Sequence, residues 1–199
     1  MRIGPRYRIA RRLGADVFEK TQGQKFAMRR ERRGRENSRP RSEFGLQLLE
    51  KQRARYTYGI GERQFKRYVK NIIAQRGRSD TKLFQKLETR LDNVLYRLGL
   101  APTRRAARQM ASHGHLLVNG VRTRIPSHEL SKGDRVSVRV GSRDAALFVQ
   151  LKERLAEHQI PPWLSLDPEK REGVVLALPP LERRTLTFDI SAILEFYKR

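Results

Sequence analysis

The sequence predicts an α+β fold. A basic extended N-terminal arm leads into amphipathic helices, followed by a compact α/β module of two short helices packed on a small antiparallel sheet. Three observations carry this expectation. Apolar residues keep helical spacing from Leu46 to Leu98. Asn119-Gly120 stands between apolar β-formers, the strongest short-range signal for a hairpin. The charge is also uneven: residues 1–55 hold 17 basic and 6 acidic side chains, whereas residues 141–199 hold 9 of each.

Composition narrows the function classes before any motif is read. The 199 residues carry a net charge of +23 and a pI of about 11.3. A chain so basic repels itself in isolation, which points to a polyanionic partner met by its first 140 residues. Cysteine is absent, which excludes a disulfide, a thiol nucleophile and a Cys-ligated zinc. No apolar run exceeds that of Val174 to Leu178, far short of the roughly 18 residues a membrane helix needs. From Met1 to Phe18 arginine stands where a secretory signal needs an apolar core. An organellar transit peptide stays open on these residues, since the first fifteen include five Arg and no acid.

The elements follow in chain order. Residues 1–45 read as an arm, because the stretch 25–41 is crowded with arginine and has no apolar period. Such a segment buries too little to offset its ordering entropy and is expected to order on a phosphate surface. In Glu62 to Gln75, apolar residues at Phe65, Tyr68, Val69, Ile72 and Ile73 predict a helix with one packed face. Arg63, Lys66, Arg67 and Lys70 fall on the opposite face as a cationic ridge. Gly77 ends this helix, and Ser79 or Asp80 opens the next. Helical spacing then runs from Leu83 to Leu98, with a break expected within Glu88 to Asp92.

Thr103 is the expected N-cap of a helix from Arg104 to Ser112, with Ala106, Ala107, Met110 and Ala111 as its apolar face. Arg104, Arg105 and Arg108 cluster near its N-terminal end, where the helix dipole adds to the attraction for phosphate. Gly114 stops it. A hairpin follows, with strands at Leu116 to Val118 and Val121 to Ile125. A further strand from Arg135 to Val140 alternates, with Val136, Val138 and Val140 inward. Leu147, Phe148, Leu151 and Leu155 keep helical spacing and are expected in a core, as is Trp163 as a packing anchor.

The stretch RLDNVLYRLGLAPTRRAARQMASHGHLLVNG, followed by IPSHELSKGDRVSV, resembles the RNA-binding module named after the fourth small-subunit ribosomal protein, S-four. The preceding FGLQLLEKQRARYTYGIGERQFKRYVK, the Pro162-Trp163-Leu164 triplet and the closing ILEFYKR resemble the bacterial-type S-four family itself. That resemblance implies an arm at 1–45, a helical domain at 46–90 plus 187–199, and an inserted module at 91–186 with the RNA-binding motif at 91–150. It also implies a non-enzymatic structural role without a cofactor. The family binds small-subunit ribosomal RNA at a multi-helix junction of the 5′ domain, nucleates assembly, and contributes to the messenger entry region and to translational accuracy. The fifth small-subunit protein and messenger RNA are implied partners, and the cytoplasmic small subunit is the implied location. A free RNA-binding regulator or translational repressor is the alternative use of the same surface.

The RNA-facing candidates are Arg63, Lys66, Arg67 and Lys70 in the helical part. In the module they are Arg90, Arg97, Arg104, Arg105, Arg108, His113, His115, Asn119 and Lys132. Arg39 and Arg41, just before Phe44-Gly45, are the candidates for the messenger path. The arm departs from the family pattern: it lacks both a Cys cluster and a Pro-Gly-Gln-His-Gly stretch. Arg90-Leu91-Asp92 also resembles the catalytic tripeptide of pseudouridine synthases, but the apolar phase through Leu91, Val94 and Leu95 makes Asp92 a helix-start residue. His113 and His115 have no third ligand at metal-binding spacing. Arg122 and Arg124 read equally as edge-strand charges or as RNA contacts.

Overall fold

A computed structural model describes residues 3–23, 26, 42–143, 145–148, 151–182 and 186–198. The chain forms two compact units, residues 1–83 with 182–199 and residues 84–181. Eight α-helices and one five-stranded antiparallel sheet are found among the described residues, an α+β architecture.

The first unit is helical. It contains α1 (Arg6–Leu13), α2 (Glu43–Thr57), α3 (Glu62–Ile73) and, from the far end of the chain, α8 (Ile190–Lys198). Ser42 caps α2 by accepting a hydrogen bond from the Gly45 N–H at 3.2 Å. In α3, Phe65, Tyr68, Val69 and Ile72 are buried as the 3.6-residue period requires. The C-terminal helix α8 packs on α2 and α3 through aromatic residues: Phe196 stacks on Phe44 at 5.3 Å, and Tyr197 lies 6.3 Å from Phe65. Below them Glu62 accepts hydrogen bonds from Lys51, Arg55 and the Tyr197 hydroxyl.

The arm expected over 1–45 needs correction at its start. Arg6–Leu13 is helical and is followed by two 3₁₀ turns, 15–17 and 19–21. Ala10, Leu13, Val17, Phe18 and Phe26 are buried against Leu49 of α2. Arg53 donates to the Leu13 carbonyl at 2.5 Å. The partner that makes this segment fold is nearly 40 residues away, so local composition does not reveal it. Residues 27–41 lie outside the described residues, and Arg39 and Arg41 with them.

The second unit begins within α4 (Ser79–Glu88), earlier than the expected boundary at 90. The reason is hydrogen bonding: the Leu130 N–H donates to the Thr89 carbonyl at 2.9 Å, and Arg90 bridges to Glu129. Next come α5 (Leu91–Arg97) and α6 (Arg104–His113). The sheet contains β1 (Leu116–Val118), β2 (Val121–Arg122), β3 (Arg135–Val138), β4 (Leu164–Asp167) and β5 (Glu172–Val175), in the order β2-β1-β3-β5-β4. Between β3 and β4 lies the short α7 (Leu151–Glu157). Leu91, Val94 and Leu95 of α5, Leu98 just after it, and Ala107 and Met110 of α6 share one core with Leu116, Val136, Val138, Trp163 and Val175.

Three strand and core expectations change. The hairpin's second strand stops at Arg122, because residues 125–128 leave the sheet to serve α5. The Pro126 and His128 carbonyls accept from the Asp92 and Leu91 N–H groups at 3.0 and 2.8 Å, satisfying donors that a helix start leaves open. Val140 does not point inward but is 72% exposed, since β3 ends at Val138 and the chain turns into a 3₁₀ segment. Leu147 is also exposed, although Phe148 and Leu151 on the same stretch are buried.

Candidate nucleic-acid interface

The basic surface of the second unit is built around the break between α4 and α5. Arg90 adopts an extended conformation (φ −64°, ψ 138°), which ends one helix and starts another. Its side chain then turns inward. Nε donates to Asp92 Oδ1 at 2.9 Å and Nη2 to Oδ2 at 2.6 Å, leaving the arginine 1% exposed. Arg90 is thereby withdrawn from the candidate RNA contacts and becomes a buried half of an ion pair. A lone charge there would be strongly unfavourable, and Asp92 at the first turn of α5 provides its partner.

The arginines around it are half-exposed, and each has a buried polar group behind it. Arg97 makes a two-pronged contact with Glu88, Nε to Oε2 and Nη2 to Oε1, both at 2.9 Å. Arg104 donates from Nε to Asn93 Oδ1 at 2.8 Å, with its guanidinium 4.4 Å above the centre of the Tyr96 ring. Arg108 Nη1 lies 3.7 Å from Asp92. Glu88 and Asn93 are each 1% exposed, and Asp92 is 3% exposed. Arg105 is exposed beside them on α6.

Helix α6 is capped at both ends. The Thr103 hydroxyl accepts from the Ala106 N–H at 3.1 Å, and Gly114 closes the helix in the left-handed conformation (φ 72°). Arg122 donates to the Gly114 and His113 carbonyls at 3.0 and 3.3 Å, so its guanidinium covers the negative end of the helix. His113 is exposed, while the His115 ring approaches Ser142 at 3.1 Å. Desolvation, then the charges of His113, Arg139 and Arg122, hold the His115 ring below its ordinary pKa. Among the described residues no cluster of three ligating side chains surrounds this pair.

The hairpin turn is equally determined. Asn119 and Gly120 both have positive φ (51° and 80°), as a two-residue turn of this hand requires. The Asn119 amide donates to Asp134 at 2.8 Å and accepts from the Arg135 N–H at 2.9 Å, tying the turn to the next loop. Lys132 is exposed in that loop.

In the first unit, Arg63, Lys66, Arg67 and Lys70 line the exposed face of α3. Among the described residues none of the four is paired with an acid. The sequence candidates therefore fall into a bare ridge on one unit and an anchored set on the other. Sequence reasoning missed the anchors Glu88 and Asn93. Their signal was a polar residue on either side of the helix break, each next to the apolar phase of Leu87, Leu91 and Val94.

No helix among the described residues is long and apolar enough to cross a membrane. The chain matches the family described as S4 domain over residues 89–136 and that described as Ribosomal protein S4/S9 N-terminal domain over residues 1–88. It is 43% identical to small ribosomal subunit protein uS4 of Roseiflexus castenholzii, over 99% of this chain and 98% of that protein. Identity to the uS4 of Corynebacterium ammoniagenes is 42%, and to that of Thermus thermophilus 38%, each over at least 98% of both chains.

Proposed function

From the premise that the chain belongs to the family of small ribosomal subunit protein uS4, we propose that it binds small-subunit ribosomal RNA directly, at a multi-helix junction of the 5′ domain. It is a structural, non-enzymatic constituent of the small ribosomal subunit. The observation that carries the RNA reading is the set of half-exposed arginines on α5 and α6, each held by a buried partner. Double-helical RNA hides its base edges in a deep, narrow groove, so a rigid cationic surface reads backbone shape. The α3 ridge adds charge without that geometry.

On this reading the protein joins the subunit early and nucleates its assembly. Contact with the fifth small-subunit protein, a place near the messenger entry path through Arg39 and Arg41, and a contribution to translational accuracy belong to the same proposal, as does a cytoplasmic location. The test is competition between a multi-helix ribosomal RNA junction and a simple stem of equal length and charge. Preference for the junction is expected, and equal affinity would overturn the junction reading. Co-sedimentation with the small subunit through a high-salt wash separates an integral component, which stays, from a free RNA-binding regulator, which washes off.

A further inference from the structure

We propose that Asn93 and Glu88 are positioning residues for RNA binding: they hold Arg104 and Arg97 in the orientation that meets phosphate, without touching RNA themselves. The inference rests on the reading of those arginines as RNA contacts. Four side chains form one continuous chain from the end of α4, along α5, to the start of α6. Arg97 donates twice to the Glu88 carboxylate, and Glu88 Oε2 also accepts from Asn93 Nδ2 at 3.0 Å. Asn93 Nδ2 donates as well to the Glu88 carbonyl at 2.9 Å. With its amino group committed on that side, Asn93 presents Oδ1 to Arg104.

The amide therefore has one sensible orientation. A flipped Asn93 would put its amino group against a guanidinium and its oxygen against a carboxylate. Arg104 is then fixed twice, along one edge by Asn93 and across one face by Tyr96. A long cationic side chain held this way has less rotamer freedom to lose when it binds phosphate.

The choice of a neutral residue at 93 matters as much as its geometry. A carboxylate there would stand beside Glu88 and would cancel the Arg104 charge. An amide orients the guanidinium and leaves that charge available. The four-residue chain has two cations and one anion, so it remains a net positive surface despite its buried acid.

The experiment measures binding of the full chain to a transcript of a multi-helix small-subunit ribosomal RNA junction, at one fixed salt concentration. Wild type is compared with Asn93→Ala, Arg104→Ala, the double variant and Arg104→Lys, and Trp163 fluorescence checks that each is folded. We expect Arg104→Ala to weaken binding roughly tenfold and Asn93→Ala roughly fivefold. The double variant should bind no worse than about twofold below Arg104→Ala, because both changes remove one effect. Folded Asn93→Ala binding like wild type, or a double loss equal to the product of the single losses, overturns the positioning role. Arg104→Ala binding like wild type overturns the RNA reading of Arg104 and the inference with it. Should Asn93→Ala fail to fold, Arg104→Lys decides. Lysine keeps the charge but lacks the planar fork that faces Asn93 and phosphate together. A loss close to that of Arg104→Ala supports the proposal, and wild-type affinity overturns it.

Discussion

The exposed face of α3 and the arginine surface of α5 and α6 carry the same kind of charge in opposite ways. On α3 the cations stand on the outer side of an amphipathic helix, with apolar packing behind them and no acid paired to them among the described residues. On α5 and α6 the cations are backed by Glu88, Asn93 and Asp92, which are almost completely buried. The first arrangement supplies mobile positive charge, which salt screens. The second supplies charge at fixed positions, and its cost is a set of buried polar groups that must all be satisfied. Two basic surfaces of equal sign thus differ in what they fix: the first only the sign of the charge, the second its position as well.

The largest effect should come from removing an anchor. Glu88→Ala removes the carboxylate that takes both Arg97 contacts and one of the two hydrogen bonds from Asn93 Nδ2, and we expect a loss of about 3 kcal/mol in the stability of the second unit. Urea titration followed by Trp163, the chain's only tryptophan and part of that unit's core, reads this directly. Arg67→Ala on α3 should stay within about 0.5 kcal/mol. Comparable losses for the two variants would erase the distinction between the surfaces.

Next in size is RNA affinity. Arg108→Ala should cost roughly 1–3 kcal/mol with the junction, and less with a simple stem, as oriented charge-assisted hydrogen bonds are lost. Lys66→Ala should weaken binding to both RNAs alike and reduce the slope of log affinity against log salt by about 1. Fluorescence anisotropy across a salt series measures both. A junction-selective loss at Lys66 would mean that α3 also reads shape.

Smallest is a difference in pH response. Burial raises the Glu62 carboxyl, but hydrogen bonds from Lys51, Arg55 and Tyr197 together outweigh it and hold the group below its ordinary 4.5. The stability it lends the first unit is complete above that value and disappears as pH falls through the lower folded value. His115 in the second unit is also held low, so there the unfolded chain takes the proton more readily. That stability is complete above the ordinary 6.5 and declines as pH falls past it. The second unit should therefore weaken first on acidification. Glu62→Gln should flatten only the first unit's acid response, as read by circular dichroism. An unchanged response would remove Glu62 as its cause.

What the sequence made legible follows from how local each cause is. The α3 period, the Thr103 cap, the Asn119-Gly120 turn and the anchoring role of Trp163 all depend on neighbours within a few residues or on burial alone, and each is present in the structure. Arg90 was misread because its partner Asp92 reaches it only once the backbone breaks at that point. The fold of residues 6–23 needs Leu49, and the early end of β2 needs the bare N–H groups of α5. Strands β4 and β5 escaped notice because their signals are short, and β3, which anchors β5 to the rest of the sheet, pairs with it from about 35 residues away. Of the candidate site, the exposed cations were visible and the buried groups that orient them were not.

The position of α8 has a consequence for the order in which the chain is made. Residues 84–181 are continuous in sequence and carry their own core, so they have all the parts they need before α8 is translated. The first unit does not. Phe44, Phe65 and Glu62 wait for Phe196 and Tyr197, which are synthesised after the whole second unit. At the usual pace of synthesis, on the order of 5–20 residues per second, that interval lasts several seconds. The second unit thus has its parts in hand while the first still waits for its last helix.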